Sequence, residues 1–205
     1  MTELEKMLKG KIYDSSDSLL DFQRKKAHRL SKDYNDTYDD EEKKRFEIMK
    51  ELIPDMGKGT YIQGPIQVDY GTNTKFGENC YANFNLVILD TCPVTIGNNV
   101  FFGPNCTLAT PIHPLLPEER KIKYKEDGTM YDLEYAKPII IEDDCWIASN
   151  VTICGGVKIN KGVVIGAGSV VTKDIPEGVF AAGNPCRVIR KITKDDSINL
   201  KSELF

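Results

Sequence analysis

The chain has 205 residues, enough for one sizeable core with an appendage, and its 40% apolar and 28% charged content is that of an ordinary soluble protein. A net charge of -4 excludes a global basic field for nucleic acid or an anionic membrane and leaves room only for local patches. No run of eighteen apolar residues is present and Met1 to Gly10 has no apolar leader-like stretch, so the expectation is a cytoplasmic protein with neither nucleic acid nor membrane as partner.

Residues 1 to 57 read as a helical unit. Leu4, Met7 and Leu8, then Leu19, Leu20 and Phe22, then Phe46, Ile48, Met49, Leu52 and Ile53 recur at helical spacings among Lys, Glu and Asp. Asp17-Ser18 ahead of Leu19, and Asp39-Asp40 ahead of the run from Glu41 to Leu52, supply acidic helix starts, so two or three short helices are expected. Pro54 and Gly57 end the segment. Arg24, His28 and Arg29 suit a solvated helix face, and a helix lying over a ligand groove would use the same residues.

From 58 to 190 the grammar changes to extended chain with a period of six. Val68-Asp69-Tyr70-Gly71-Thr72-Asn73 and Phe76-Gly77-Glu78-Asn79-Cys80-Tyr81 show it imperfectly. Ile96, Phe102 and Leu108 restore the phase, with Val100, Cys106 and Ile112 four places later. Residues 113 to 138 then break it with Lys, Arg and Glu, three prolines (Pro114, Pro117, Pro138) and Gly128, and Ile139 resumes it. A regular coil has no reason of its own to extrude so long a loop, which makes this one a place to look for function.

The clearest stretch is Ile141 to Pro176. Ile141, Ile147, Ile153, Ile159, Ile165 and Val171 hold one slot of the hexad, and Cys145, Val151, Val157, Val163, Ser169 and Ile175 hold the slot four later. A helix would return an apolar residue every third or fourth place and would not tolerate Gly155-Gly156, Gly162, Gly166 and Gly168. Short parallel strands joined by corners where Gly or Asn adopts positive φ account for the pattern. Three sides of six residues make an eighteen-residue coil, so the pattern predicts Ile141 stacked on Ile159, Ile147 on Ile165 and Ile153 on Val171. Glu177 to Arg190 reads as a final partial coil with a turn at Gly183 to Pro185, and residues 191 to 205 as a charged tail, helical or frayed. The six cysteines form no CxxC pair and show no metal-ligand spacing; Cys106 and Cys145 occupy ladder slots and read as small buried thiols.

Few residues stand out as carriers of chemistry. The chain has two histidines, and His113 lies where the coil stops, at the root of the extruded loop and beside Pro111 and Pro114. A lone histidine is often structural, but that position suits a general base, the role for which an imidazole's ordinary titration range fits it. Asn83 and Asn85 interrupt the early coils, where asparagine also serves simply to turn a corner; Asp69 and Asp90 nearby can accept hydrogen bonds from hydroxyls. Thr172-Lys173, Arg187 and Arg190 put cations beside the last coils, either as surface decoration or as anchors for a polyphosphate.

Together these features resemble the hexapeptide-repeat acyltransferases, and more closely their sugar O-acetyltransferases of the galactoside and maltose type. The resemblance is carried by Leu8 to Tyr13 with Arg24, Tyr81-Ala82-Asn83-Phe84-Asn85-Leu86, His113-Pro114, Trp146-Ile147, Ile165 to Pro176 and Ala182 to Ile189. It implies an all-β core folded as a left-handed parallel β-helix, with an N-terminal α-helical segment and an extruded loop. That hand runs against the usual right-handed crossover and cannot be read from the period. It implies acetyl-CoA as donor, no metal, and a homotrimer with active sites in the grooves between neighbouring prisms. His113 would be the base, Asn83 would lie beside the acetyl group, and the Ser149 backbone would contact the thioester. Ala167, Thr172, Lys173, Arg187 and Arg190 would follow the pantetheine, adenine and phosphates. Asp17, Asp69, Asn83, Asp90 and Trp146 are the sugar contacts it suggests. Galactoside acetyltransferase has two adjacent acidic residues where this chain has Asp90-Thr91, a serine where it has Asp69, an acidic residue where it has Ser15, with Asp17 close by, and a shorter loop. These departures bear on the acceptor and not on the donor.

Three other readings compete. A non-catalytic β-helix scaffold would have no need to combine His113, Asn83 and the basic C-terminal positions. A γ-type carbonic anhydrase needs three histidines for zinc, and the solenoid offers one. Serine and antibiotic acetyltransferases share the coils, and the N-terminal helical segment with Tyr81 to Leu86 favours the sugar type.

Overall fold

The computed structural model describes residues 1–204. Three helices come first: α1 (Glu3–Leu8), α2 (Ser18–Asn35) and α3 (Glu42–Leu52). Thr2 and Glu5 close a capping box on α1, and the Asp17 carboxylate caps α2 by accepting from Leu19 N (3.0 Å) and Leu20 N (3.2 Å). Two expectations need correction. α2 is a single helix of 18 residues rather than a short piece, and Asp39-Asp40 do not start α3. Its N-cap is Glu41, with no side-chain cap bond, while Asp39 faces Arg45 and Gln63. Arg45 is buried and ties the helices to the solenoid, Nη2 donating to Tyr34 Oη (2.8 Å), Ile62 O (3.0 Å) and Gln63 O (2.8 Å).

The solenoid begins at Asp55–Met56, slightly before the predicted boundary, and winds as a three-sided prism. The first face stacks Tyr61–Ile62, Tyr81–Ala82, Phe101–Phe102, Trp146–Ile147, Val164–Ile165 and Val179–Ala182, all parallel. The second stacks Ile66–Val68, Leu86–Leu89, Thr107–Ala109, Thr152–Cys154 and Val170–Val171. The third stacks Asp55–Met56, Thr74–Phe76, Val94–Ile96, Ile139–Ile141 and Lys158–Ile159. The predicted stacks are observed: Ile141 on Ile159, Ile147 on Ile165, Ile153 on Val171. All twelve residues of the two hexad slots are buried. Each such aliphatic side chain contributes roughly 1.5–3 kcal/mol. Cys106 and Cys145 are the small buried thiols expected, with Sγ 3.2 Å from Ala148 O and Asn160 O respectively.

The early imperfection has a specific form. Partners lie twenty residues apart in the first rungs, as with Thr74 and Val94, and eighteen apart later, as with Ile141 and Ile159. The difference sits at one corner. Inward residues are six positions apart across the other two corners, as in Ile62 to Val68 or Ile96 to Phe102. Between the second and third faces the steps are eight (Val68 to Phe76), eight (Ile88 to Ile96), thirty-three (Leu108 to Ile141), six (Ile153 to Ile159) and four (Val171 to Ile175). The extruded loop is the largest insertion at a corner already enlarged in the rungs below it.

The other two corners are turned by left-handed residues in register. Asn79, Asn99 and Asp144 (φ 56, 55 and 61°) continue into Gly162 and Gly178, while Asn85, Asn105 and Asn150 (φ 60, 60 and 58°) continue into Gly168. Asn85 Nδ2 donates to Asn105 Oδ1 (2.9 Å), so Asn85 belongs to the corner.

The loop departs earlier than the sequence suggests. Ile112 is not a ladder residue, because Pro111–Ile112 already pairs antiparallel with Leu133–Ala136. That strand also pairs with Tyr13–Asp14, giving a three-stranded sheet that joins the loop to the N-terminal segment. The Lys137 N–H to Thr110 O bond (3.0 Å) closes the neck over Gly155, where a Cβ would lie 2.6 Å from Thr110 O. After Ala182 the chain turns at Gly183 and returns antiparallel as Arg187–Lys191, then ends in 3-10 turns. Phe205, in the predicted tail, lies outside the described residues. No helix among the described residues is long and apolar enough to cross a membrane.

Ile153 is sealed between Leu108 and Val171. Ile153→Ala is expected to destabilise the fold by about 2–5 kcal/mol, read as a lower urea midpoint at unchanged slope.

Candidate functional site

The enlarged corner gathers the polar chemistry of the chain. Each pass off the second face leaves a polar residue there: Asp69 with Tyr70, then Asp90 with Thr91, then Thr110 leading to His113. Asp90 is fully buried. Its Oδ1 accepts from Tyr70 N (2.8 Å) and its Oδ2 from Thr74 Oγ1 (2.9 Å), so both oxygens are consumed by the rung beneath. The expectation that Asp90 touches a sugar is therefore corrected: it is a corner tie. Burial, eased by these bonds, holds its carboxyl up at about 6.

His113 projects from the neck of the loop with its side chain 45% exposed. Nδ1 lies 3.4 Å from Leu133 O and 3.4 Å from Asp132 Oδ2, and Nε2 lies 3.5 Å from Glu134 Oε2. A proton on Nδ1 facing the carbonyl and carboxylate leaves the Nε2 lone pair available to accept another. Glu134 is half-buried on the strand that pairs with Tyr13, and the Tyr13 hydroxyl donates to Glu134 Oε1. Burial raises the Glu134 carboxyl above its ordinary range, against the Tyr13 hydrogen bond and the neighbouring imidazole. Burial and the Glu134 charge push Tyr13 up, so its hydroxyl stays protonated and remains the donor.

Asp69 lies within electrostatic reach of Glu134. Burial, and next the charge of Glu134, raise its carboxyl to about 6 despite Arg24 and a hydrogen bond from Thr91. His28 Nε2 stands 3.9 Å from Asp69 Oδ1. Arg24 turns inward, Nη1 donating to Tyr70 Oη (3.1 Å) and Nη2 to Ser15 O (3.4 Å), which decides for the groove over the solvated face; Arg29 stays exposed. Ser15 Oγ donates to Asp132 Oδ1 (2.9 Å), bringing the turn before α2 to the rim. Asp17 lies on this turn but spends Oδ1 on capping. Among the described residues no group of three or more His, Cys, Asp or Glu side chains is arranged to hold a metal ion.

Other predicted residues lie elsewhere on the same chain. Asn83, Ser149 and Ala167 follow the corner between the first and second faces. Asn83 Oδ1 accepts from Phe84 N (2.8 Å), leaving Nδ2 without a partner among the described residues. The Ser149 and Ala167 N–H groups likewise donate to no acceptor among them. Trp146 is exposed on the first face beside Asn83, Tyr81 and Phe101. Thr172 and Lys173 top the enlarged corner above Cys154 and Gly155. Arg187 and Arg190 lie on the returning strand. Between the Asn83 corner and Asp69 lies the whole strand Leu86–Leu89, about 10 Å of extended chain, so one protomer does not bring Asn83 to His113. Glu134, Asp132, Tyr13 and Tyr70 escaped the sequence reading. The alternation Leu133-Glu134-Tyr135-Ala136 was the one available signal, a strand in a charge-rich loop.

Comparison with known proteins places the architecture. Residues 6–57 match the maltose acetyltransferase hexapeptide capping motif, 138–173 the bacterial transferase hexapeptide (six repeats), and 93–113 the hexapeptide repeat of succinyl-transferase. The galactoside O-acetyltransferase of Escherichia coli K12 is 41% identical over 196 residues, covering 96% of this chain and 92% of the relative. A maltose O-acetyltransferase from Clostridium difficile 630 superposes with TM-score 0.83 at 42% identity, covering 95% and 99% of the two chains. A galactoside acetyltransferase in complex with coenzyme A does so with TM-score 0.84 at 38% identity, covering 96% and 94%. The chain belongs to the hexapeptide-repeat acetyltransferases. The left hand of the β-helix is that of the family. Within this acetyltransferase frame the α1–α3 segment is the capping motif, and its contribution to the corner is Tyr13, Ser15, Arg24 and His28.

Asp69 tests the electrostatics of the corner. A carboxyl whose folded pKa is raised stabilises the fold below its unfolded value, and that contribution is lost as pH rises through the folded value. For Asp69 the window is about 3.8 to about 6. Asp69→Asn is expected to be more stable than the parent by about 1–2 kcal/mol at pH 7, with the advantage gone below about pH 4, measured by urea unfolding at both pH values.

Proposed function

We propose that the protein transfers the acetyl group of acetyl-CoA to a hydroxyl of a sugar, with His113 as general base. The observation that carries the reading is an accessible imidazole whose Nδ1 faces a carbonyl and whose Nε2 faces the Glu134 carboxylate, itself within electrostatic reach of Asp69 and Arg24. The acceptor O–H gives its proton to Nε2 as the oxygen attacks the thioester carbon. The tetrahedral intermediate collapses, the carbon–sulfur bond breaks, and the imidazolium returns the proton to the departing thiolate. Glu134, 3.5 Å from Nε2, stabilises the imidazolium between these steps. The half-buried carboxylates of Asp69 and Glu134 suit an acceptor bearing several hydroxyls.

The donor runs along residues that this chain leaves with unused donors. Asn83 Nδ2 lies beside the acetyl group, the Ser149 N–H stabilises the oxyanion, and the Ala167 N–H meets the pantetheine. Thr172, Lys173, Arg187 and Arg190 take the nucleotide end. Asn83, Ser149 and Ala167 on one side and Asp69 and His113 on the other occupy opposite edges of the second face, which supports a site completed between subunits. One chain supplies Asn83, Trp146, Ser149 and Ala167; its neighbour supplies His113 and Asp69. The family's homotrimer gives three such clefts. Six free cysteines suit a reducing compartment, and we assign the protein to the cytoplasm.

Thiol release from acetyl-CoA over a sugar panel tests the activity. His113→Ala is expected to lower kcat by about 10²- to 10⁴-fold, whereas parental activity in the variant would end the role of His113 and no transfer to any hydroxyl would favour a scaffold. Division of the site is tested by co-expressing His113→Ala with Asn83→Ala. Mixed trimers are expected to regain activity, because some clefts then receive both intact halves; a site within one chain gives no recovery.

A further inference from the structure

Among the cations at the last rungs, Arg190 is held differently from the others. Its Nη1 donates to Lys191 O (3.0 Å) and Asp196 Oδ2 (2.8 Å), and its Nη2 to Asp196 Oδ1 (2.6 Å). Lys173 and Arg187 face no carboxylate at ion-pair distance among the described residues. A guanidinium has five N–H donors. Three of Arg190's are engaged, all at the Nη1–Nη2 end. The two that remain, Nε–H and the second N–H of Nη2, lie side by side on the adjacent edge and form a parallel fork. Such a fork matches two oxygens of one phosphate.

The clamp is itself fixed. Thr193 N–H donates to Asp196 Oδ2 (2.9 Å), and Thr193 Oγ1 accepts from Asp195 N (3.2 Å), so the first 3-10 turn of the tail holds the carboxylate in place. The Arg190 guanidinium carbon also lies 6.0 Å from the centre of the Phe180 ring on the last parallel strand. An exposed ion pair adds little stability, so the notable consequence of this one is geometric.

We propose that Asp196 is a positioning residue for the donor's phosphates. It clamps one edge of the Arg190 guanidinium so that the other edge meets a phosphate as a ready fork. The inference rests on the reading of Arg190 as a donor contact. Lys173 and Arg187 supply net charge; Arg190, neutralised by its clamp, supplies direction.

The test compares acetyl-CoA with acetyl-pantetheine, which lacks the nucleotide and its phosphates, at saturating acceptor. Arg190→Ala and Asp196→Ala are each expected to raise KM for acetyl-CoA roughly tenfold, with kcat and KM for acetyl-pantetheine unchanged. Asp196→Asn, which keeps one acceptor oxygen, should fall between, and the double variant should be no worse than Arg190→Ala alone. A fall in KM for Asp196→Ala would show a carboxylate competing with phosphate and overturn the proposal. Parental KM in Asp196→Ala, beside a raised KM in Arg190→Ala, would overturn it as well while leaving Arg190 at the donor. Parental KM in Arg190→Ala would remove Arg190 from the donor site, and the proposal with it.

Discussion

A rung of this solenoid must close over the rung below with its three inward side chains in line, and that closure governs where anything else can be built. A residue inserted within a face would invert the alternation of inward and outward side chains along that strand. Insertions are therefore confined to corners. Two corners hold the six-residue step throughout, turned by Asn, Asp and Gly columns in left-handed conformation. The third absorbs every irregularity, from two extra residues at Tyr70–Gly71 to the full loop after Thr110. Chemistry collects there because that is the one edge free to vary without breaking the ladder.

The same closure explains the electrostatics. The ladder makes a dry column, and a carboxylate at its corner is partly desolvated whichever way it points. Where the rung below offers donors, as Tyr70 and Thr74 do for Asp90, the charge is absorbed into structure. Where it does not, as at Asp69 and Glu134, the group is left with a raised pKa, and Glu134 keeps an oxygen facing His113. Raised carboxylates in a cleft cost stability at neutral pH, a pattern that marks functional sites. The loop strand Leu133–Ala136 and the N-terminal strand Tyr13–Asp14 hold that arrangement rigid, and without their pairing Glu134 and Asp132 would have no fixed relation to the imidazole.

What the sequence disclosed follows from which interactions are periodic. The ladders of Ile141 to Ile175 were legible residue by residue, since a six-residue repeat is the direct imprint of a three-sided rung. The early coils were legible only as disturbed, because Tyr70–Gly71 and Thr91–Cys92 lengthen a corner without altering the faces. Asp90 and Asp69 look alike in the sequence. Only the rung beneath, which donates to one and not the other, separates structure from surface. Glu134 and Tyr13 were invisible for a different reason: their pairing spans 121 residues and no local pattern announces it. Arg190 read as a free cation because Asp196, six residues on, meets it only after the strand turns into a 3-10 turn.

The position of the loop along the prism also limits what one chain can do alone. His113 leaves the enlarged corner one rung above Asp90, while the unused N–H groups of Ser149 and Ala167 lie across the second face and one and two rungs higher. A donor laid along the Ser149 edge would present its acetyl end toward Asn83, at the level of Asp90 but a full face away from it. In matching register the outward residues of the second face are Gln67, Val87, Thr107, Thr152 and Val170, whereas those of the third are Asp55, Lys75, Thr95, Ile140 and Lys158. The face between the two half-sites thus carries no charge in this register, and the face adjoining it across the enlarged corner carries three. That asymmetry is the one expected if the second face turns toward other copies and the third toward water, which would carry the His113 corner of one chain to the Asn83 edge of the next.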